Sequence, residues 1–300
     1  MKIPSDISRE DLSTDMQDWF CDGIRLTYAK SSFTKNDMHQ GHSNADVVRL
    51  HFGLKGDYSV TYNQIGKSFD LAGGHHNLFY SKEFDMEFFN KTRKIETFGI
   101  QFPKEKFLQF TDNANDALQR FSEKILKGEN VIFSGKWGAI DLPIQQVIRQ
   151  VLHNPYTNGL QQLFLLSKSI ELLVLSTEAI LSPQESKSSV IKNNTEKEKI
   201  IAARDIINEH LKAPLTLSQL AKMTGLNEYK LKHGFKETFK STVFNYLNEQ
   251  RLLLARDYLR DTQKSVAEIA YDMGYSTPQY FNNAFKRKFG RTPKSVRKNP

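Results

Sequence analysis

An internal repeat in the last third of the chain constrains the fold more than any other feature of the sequence. The first copy reads LSQLAKMTGLNEYKLKHGFKETFK, from Leu217 to Lys240, and the second reads VAEIAYDMGYSTPQYFNNAFKRKFG, from Val266 to Gly290. Gly225 of the first copy recurs 49 positions later, whereas Phe235 and the other matches that follow this glycine recur 50 positions later. The shift of one residue therefore falls in a turn, and each copy is one supersecondary unit.

Each copy is predicted to fold as two helices joined by a tight turn. A hydroxyl residue followed three positions later by Gln or Glu has the spacing of a capping box, and a Gly can end a helix in the left-handed conformation. The residues with these roles are Thr216, Gln219 and Gly225 in the first copy, and Ser265, Glu268 and Gly274 in the second. Asn227 and Thr277 can cap the second helix of each copy. Two helices joined in this way form a helix-turn-helix, whose second helix enters the major groove of DNA.

Positive charge is concentrated in the part of the chain that carries the repeat. Residues 198–300 hold 19 of the 42 Lys and Arg residues but only 10 of the 34 Asp and Glu residues, so this part supplies the whole net charge of +8. A basic domain is typical of proteins that bind a polyanion, although a basic surface that only confers solubility is the alternative. A long amphipathic helix, predicted over 243–260, would hold the two copies apart. One monomer would then read two major-groove segments about 34 Å apart.

The first two thirds of the chain combine short strands with longer helices. Apolar segments between Gly23 and Phe102 alternate with turn residues, which favours a sandwich or a small barrel. We predict strands over 47–54, 58–63, 76–81 and 96–102, and helices over 114–127, 141–154 and 160–181. The polar segment 182–195 contains Pro183 and is predicted to be a linker.

The last of these helices carries a near-heptad apolar seam. Its members are Leu163, Leu166, Ile170, Leu173 and Ile180, and only Thr177 interrupts the spacing. Two interpretations fit equally well. The seam is either a dimer contact or the face that packs on the barrel of its own chain.

No other residue pattern in the first 180 residues points to a distinctive chemistry. Five histidines, His39, His42, His51, His75 and His76, lack the HxH motif with downstream Glu and His that metal-binding barrels show, so we interpret them as ordinary surface or core residues. Cys21 has no evident base partner, and the alternating Glu83, Asp85 and Glu87 are best interpreted as a solvated strand face. Aromatic residues between 79 and 102 are expected to fill the core, and some of them would line an apolar effector pocket.

Composition places the chain among soluble proteins, with 39% hydrophobic and 25% charged residues. No apolar run approaches the roughly 20 residues of a membrane span, and the first residues lack the apolar region of a secretory signal. The single cysteine suits a reducing compartment. We therefore expect a cytoplasmic protein without a membrane partner.

Residues from about Glu196 to Lys298 resemble the DNA-binding domain of the AraC family, above all in GYSTPQYFNNAFKRKFGRTPKSVRK at 274–298. The segment KLKHGFKETFKSTVFNYL, 230–247, is similar to the subgroup that includes the pyochelin (siderophore) regulator. Lys240 departs from the family pattern, which usually has Gly after the first recognition helix. A lysine there must either adopt a left-handed conformation or end the helix differently.

The resemblance implies a set of DNA-contacting residues. The family's base-facing positions fall on Tyr229, Lys232 and His233 in the first copy and on Gln279, Asn282 and Asn283 in the second. Four basic residues, Lys286, Arg287, Lys288 and Arg291, are expected to meet phosphates. The spacing of these residues agrees with this assignment, because it places the three residues of each copy on one face of their helix, opposite the apolar positions. The alternative is that they are simply solvated polar residues.

We therefore predict an α+β protein: a small, cupin-like N-terminal β-barrel with helices, followed by an all-α double helix-turn-helix domain. The expected boundaries are 1–182 for the effector-sensing and dimerisation region, 183–195 for the linker and 196–300 for the DNA-binding domain. The family resemblance implies double-stranded DNA, RNA polymerase, a small-molecule effector and a second copy of the chain as partners. No cofactor, metal site or catalytic residue is expected. An enzyme with a barrel active site fused to a DNA-targeting domain, or a constitutive nucleoid-type binder, are the alternatives.

Overall fold

The computed structural model of the chain describes residues 12–181, 190–191 and 194–298. The chain divides into two compact units, residues 1–184 and 185–300. Most of the predicted linker lies outside the described residues. Of its described residues, Ile191 is buried and the Val190 amide donates to the Glu237 carboxylate, so this end of the segment packs on the C-terminal unit.

Two antiparallel sheets form the N-terminal unit. The larger sheet has the order β1-β2-β9-β4-β7-β10, with β11 also pairing with β7, and the smaller has the order β3-β8-β5-β6. The strands are β1 (Leu12–Cys21), β2 (Ile24–Phe33), β3 (Met38–Ser43), β4 (Val47–Lys55), β5 (Tyr58–Tyr62), β6 (Lys67–Leu71), β7 (His75–Ser81), β8 (Phe84–Asn90), β9 (Lys94–Pro103), β10 (Val131–Ile132) and β11 (Gly138–Ala139). Within the described residues no strand pairing joins the two sheets, so they do not close into a barrel.

Side chains along β4 point alternately to the two faces of the larger sheet, and the sheet separates two cores. Val48, Leu50 and Phe52 are buried in a cluster that includes residues of the helices that cover this face. Arg49 and His51 point to the other face, where Arg49 lies over the ring of Phe84 of the smaller sheet. The sheet is therefore covered on both faces, which accounts for the apolar character of its central strands.

Four α-helices complete the described part of the N-terminal unit: α1 (Lys104–Thr111), α2 (Asp116–Leu126), α3 (Leu142–Leu152) and α4 (Asn158–Leu181). The Asp141 carboxylate caps α3, and Pro143 lies in its first turn. Among the described residues no helix combines the length and apolar composition needed to cross a membrane.

The predicted seam on α4 is divided between two faces of the helix. Leu173 and Thr177 are buried, Leu173 in the core of the N-terminal unit itself, whereas Leu163 is 65% exposed. The seam is therefore neither one continuous dimer contact nor one continuous face packed on its own chain. An exposed apolar stripe does exist on α4, and its members are Leu160, Leu163, Ile170, Val174 and Leu181.

Seven helices form the described part of the C-terminal unit: α5 (Asn194–Glu209), α6 (Leu217–Thr224), α7 (Glu228–Phe239), α8 (Val243–Asp261), α9 (Val266–Asp272), α10 (Pro278–Phe289) and α11 (Pro293–Lys298). Both predicted capping boxes are present, at Thr216 with Gln219 and at Ser265 with Glu268. The turn residues Gly225 and Gly274 have φ of 62° and 77°. The two helix-turn-helix copies are thus confirmed.

The repeat extends to the helix that precedes each helix-turn-helix. Ala203, Arg204 and Asp205 of α5 recur in α8 as Ala255, Arg256 and Asp257, 52 positions later. Both arginines make the same contact: Arg204 lies 5.7 Å from the ring centre of Phe239 and Arg256 lies 5.5 Å from that of Phe289. Each copy therefore has three helices, α5–α7 in the first copy and α8–α10 in the second.

The helix α7 ends in the same conformation as α10, although only α10 has a glycine there. Lys240 has φ 53° and ψ 21°, and the equivalent Gly290 has φ 67°. A non-glycine residue in this region is disfavoured by roughly 1–2 kcal/mol. A glycine loses about 0.5–1 kcal/mol more backbone entropy on folding.

Lys240→Gly is therefore expected to raise the free energy of unfolding of the C-terminal unit by about 0.5–1 kcal/mol. Lys232→Gly, in the middle of the same helix, is the matched control and should lower it by about 1 kcal/mol. Urea denaturation followed by circular dichroism measures both changes. Equal destabilisation by the two substitutions would show that Lys240 is not strained.

Candidate nucleic-acid interface

The second helix of each helix-turn-helix has one buried and one exposed face. In α7 the apolar residues Leu231, Phe235 and Phe239 are fully buried, and in α10 Phe281 and Phe285 are fully buried. Each helix is therefore anchored along one side. The N-cap residues Asn227 and Thr277 accept hydrogen bonds from the backbone amides of Lys230 and Tyr280, which fixes where each helix begins.

The six predicted base-facing residues all lie on the exposed faces, at positions 50 residues apart. In the first copy the Tyr229 and His233 rings are 4.4 Å apart, and the Lys232 ammonium lies 3.7 Å from the Glu228 carboxylate. In the second copy the Gln279, Asn282 and Asn283 amides make no side-chain hydrogen bond within the described residues. Their donors and acceptors are thus available to base edges, which is the requirement for bidentate recognition of adenine.

The four predicted phosphate contacts differ in their surroundings. Lys286, Arg287 and Arg291 are exposed and pair with no carboxylate in the part of the chain that the structure describes. Lys288 is only partly exposed, and its ammonium donates a hydrogen bond to the Glu249 carboxylate of α8. Lys288 must leave this carboxylate before it can meet a phosphate.

The prediction from the sequence left out one exposed basic residue of the candidate interface. Lys236 is exposed on α7 and occupies the position equivalent to Lys286 of α10. Another basic residue of the same helix, Lys230, instead donates to the Glu196 carboxylate at 2.5 Å. The 50-residue offset was the signal that would have added Lys236 to the predicted set.

The histidines of the N-terminal unit are distributed over separate places. No group of three or more His, Cys, Asp or Glu side chains in the described residues could hold a metal ion. His42 is bonded to Asp85 on the surface, and this hydrogen bond raises the pKa of His42 and lowers that of Asp85. His51 is bonded to the Tyr58 hydroxyl at 2.8 Å, and burial lowers the pKa of its imidazole to about 4.

Two further sequence candidates also have structural explanations. Burial raises the pKa of the Cys21 thiol to about 11, so this thiol is protonated at neutral pH and is a poor nucleophile. Of the three alternating carboxylates, Glu83 precedes β8, and Asp85 also accepts a hydrogen bond from the Gln64 amide. The arrangement of these carboxylates does not resemble a paired-carboxylate catalytic site.

Comparison with known proteins matches both parts of the chain. Residues 7–192 match the family described as the regulatory protein PchR N-terminal domain, and residues 220–299 match a helix-turn-helix domain family. Regulatory protein SoxS of Escherichia coli K12 is 37% identical over 91 residues, which are 30% of this chain and 85% of SoxS. Regulatory protein PchR of Pseudomonas aeruginosa is 36% identical over 106 residues, which are 35% of this chain and 36% of PchR.

Among solved structures, a transcriptional regulator with an AraC-type DNA-binding domain from Chromobacterium violaceum is 26% identical. The match covers 35% of this chain and 95% of that one, with a TM-score of 0.33.

Proposed function

The chain belongs to the AraC family of DNA-binding transcription regulators, in the group that carries the PchR N-terminal domain, and we propose that a small-molecule effector controls it through this domain. The resulting regulator is a one-component system: sensing and DNA binding occur in one chain. RNA polymerase is the partner through which such a regulator acts on transcription, and the cytoplasm is where both meet.

One observation carries the proposed mode of DNA reading. The two recognition helices present exposed polar residues at equivalent positions, and the intervening α8, the first helix of the second copy, also packs against the first copy through Tyr246. Each helix enters one major-groove segment, and the two segments lie about one helical turn apart on one face of the duplex. One monomer therefore reads two segments of one site.

The chemistry of the exposed residues differs between the two helices. In the second copy, Gln279, Asn282 and Asn283 carry amides suited to adenine, whereas Lys232 of the first copy donates to guanine and Tyr229 offers apolar contact to a thymine methyl. The His233 ring packs against the Tyr229 ring at a tilt and completes this face. The two segments of the site thus differ in base preference.

Basic residues beside these faces provide affinity without sequence preference. Lys286, Arg287 and Arg291 meet phosphates, Lys236 has the equivalent role in the first copy, and Lys288 joins them when it leaves Glu249. Arg287→Ala is expected to weaken binding to all sequences about equally and to reduce the salt slope by about one counterion. Titrations of specific and random duplexes at several salt concentrations measure both effects. Weakening confined to the specific duplex would contradict the phosphate role.

The effector site is proposed on the face of the larger sheet that looks towards the smaller one. Gly99 of β9 pairs with His51 of β4 and Thr27 of β2. A Cβ built at Gly99 would have one neighbour within 4 Å among the described residues, the Leu50 carbonyl oxygen at 3.9 Å. This open space lies beside the bonded His51 and Tyr58 rings, and a largely apolar, aromatic lining with a few polar groups suits a small organic molecule. The two-sheet arrangement, although open, is proposed to be cupin-like.

A second copy of the chain is the proposed partner of the exposed stripe on α4. Leu163 and Val174 are separated by three helical turns and are 65% and 57% exposed. Apolar residues at this spacing form a seam that a symmetric dimer would bury. We propose residues 1–182 as the sensing and dimerisation region, 183–195 as the linker and 196–300 as the DNA-binding region. Support comes from the division of the structure near residue 184.

Genome-wide footprinting with and without candidate effectors tests the proposed control. We expect a limited set of protected sites and a change in their occupancy when one effector is added. Uniform, sequence-independent protection that disappears with salt would instead indicate a nucleoid-type binder. A different result would favour an enzyme tethered to DNA. In that case no metabolite would change the occupancy of the sites, and the purified chain would turn over a candidate molecule.

A further inference from the structure

Arg251 lies where α8 passes from one three-helix copy to the other. Before it, Tyr246 packs against Phe235 and Phe239 of the first copy, with ring centres 5.5 Å and 6.1 Å apart. After it, Leu252 and Ala255 belong to the hydrophobic cluster of the second copy. Arg251 itself is only 8% exposed and pairs with no carboxylate among the described residues. A buried arginine without an ion pair requires another explanation.

The contacts of Arg251 join the two copies. Its Nε donates a hydrogen bond of 2.8 Å to the carbonyl oxygen of Leu211, which follows the end of α5 in the first copy. Its guanidinium lies against Gly274, the turn residue of the second copy. A Cβ built at Gly274 would lie 2.8 Å from Nη2 and 2.9 Å from Nη1. One side chain therefore touches the loop of one copy and the turn of the other.

The equivalent residue of the first copy makes only half of these contacts. Lys199 of α5 occupies the position 52 residues before Arg251, and its ammonium donates to the carbonyl oxygen of Gly225 at 3.2 Å. Lysine carries a single terminal donor group, whereas arginine carries Nε and Nη donors in a rigid fork. An arginine can thus reach its own turn and a second backbone group at once, and a lysine cannot.

We infer that Arg251 is a positioning residue that fixes the separation and rotation of the two recognition helices, and hence the spacing between the two DNA segments that one chain can read. This inference rests on the proposed two-segment reading. Hydrophobic packing along α8 keeps the copies together, and the Arg251 fork fixes their relative angle. The residue contacts no base, so it would affect the spacing of the site and not its base preferences.

The test compares two DNA duplexes: the site that the full chain selects from random DNA, and the same site with one base pair inserted between its segments. The insertion rotates one segment by about 35° relative to the other. The wild-type chain is expected to lose about tenfold in affinity on insertion. Arg251→Lys keeps the charge and the turn contact but loses the bond to Leu211. It is expected to lose only about threefold.

Arg260→Lys is the matched control, because it makes the same change on the same helix at a residue that touches neither turn. It should show the full wild-type loss on insertion. If the Arg251→Lys chain, with its unfolding transition intact, also keeps the full loss, the inference is wrong and Arg251 only stabilises the fold. If the wild-type chain selects no two-segment site, the proposed mode of reading fails as well, so the two failures are distinguishable.

Discussion

Phe285→Ala is expected to lower the free energy of unfolding of the C-terminal unit by about 3–5 kcal/mol and to abolish reading of one DNA segment. Phe285 is fully buried, and its ring centre lies 5.5 Å from Phe281 and 4.5 Å from Phe289. The substitution leaves a cavity under the second recognition helix, which small side-chain movements cannot fill. Since a native domain is stable by only about 5–15 kcal/mol, much of its stability is removed.

The distribution of tryptophans makes this prediction easy to measure. Both tryptophans, Trp19 and Trp137, belong to the N-terminal unit. In urea denaturation, the Phe285→Ala substitution should move the loss of the helical circular dichroism signal to a lower urea concentration. The transition followed by tryptophan fluorescence should stay unchanged. Phe244→Ala is the control, because this ring is 59% exposed, and its cost should stay below about 0.5 kcal/mol. Similar costs for the two substitutions would contradict the assigned core.

Leu173→Asp should unfold the N-terminal unit, whereas Val174→Asp should leave it folded and prevent dimer formation. The two residues are neighbours on α4, but Leu173 is 4% exposed and Val174 is 57% exposed. A carboxylate at 173 would be buried without a partner, at a cost of at least about 3–5 kcal/mol. At 174 it would reach water in the monomer and would be buried only in the proposed dimer.

Tryptophan fluorescence and sedimentation separate these outcomes. The Leu173→Asp chain should lose the native tryptophan signal. The Val174→Asp chain should keep it, sediment as a monomer and bind paired sites no more tightly than single sites. An unchanged oligomeric state in the Val174→Asp chain would remove the exposed stripe on α4 from the mechanism.

The helical repeat was predictable because its signals are local. A capping box, a turn glycine and an N-cap residue each act over three or four positions, so Thr216, Gly225 and Asn227 could be assigned from the sequence. The extension of the repeat to α5 and α8 was harder to detect. The offset between α5 and α8 is 52, whereas the offset between α6 and α9 is 49. The two differ because the loop before α9 is three residues shorter than the loop before α6.

The first hairpin of the N-terminal unit was missed although one strong signal was present. β1 and β2 pair along their whole length around Asp22 and Gly23, which have φ of 48° and 78°. Asp-Gly is typical of such two-residue turns. β1 is an edge strand with mostly exposed side chains, so it lacks the apolar alternation by which a strand is predicted.

Contacts between distant residues explain the remaining differences. The helix α4 carries leucines on several faces, so its periodicity could not determine which of Leu163 and Leu173 enters the core. The bond from Lys288 to Glu249 joins residues on different helices, and it changes how available Lys288 is to a phosphate. Tertiary packing, which no local pattern records, decided both outcomes.

Selection of binding sites from random DNA tests the two-segment reading most directly, with three chains compared. The wild-type chain should select two unlike motifs whose centres lie about 10–10.5 base pairs apart. Asn283→Ala should relax the preference in one motif and Lys232→Ala in the other, each by about 1–3 kcal/mol. Unchanged preferences in both variants, or changes that fall in the same motif, would contradict the assignment of the two recognition helices.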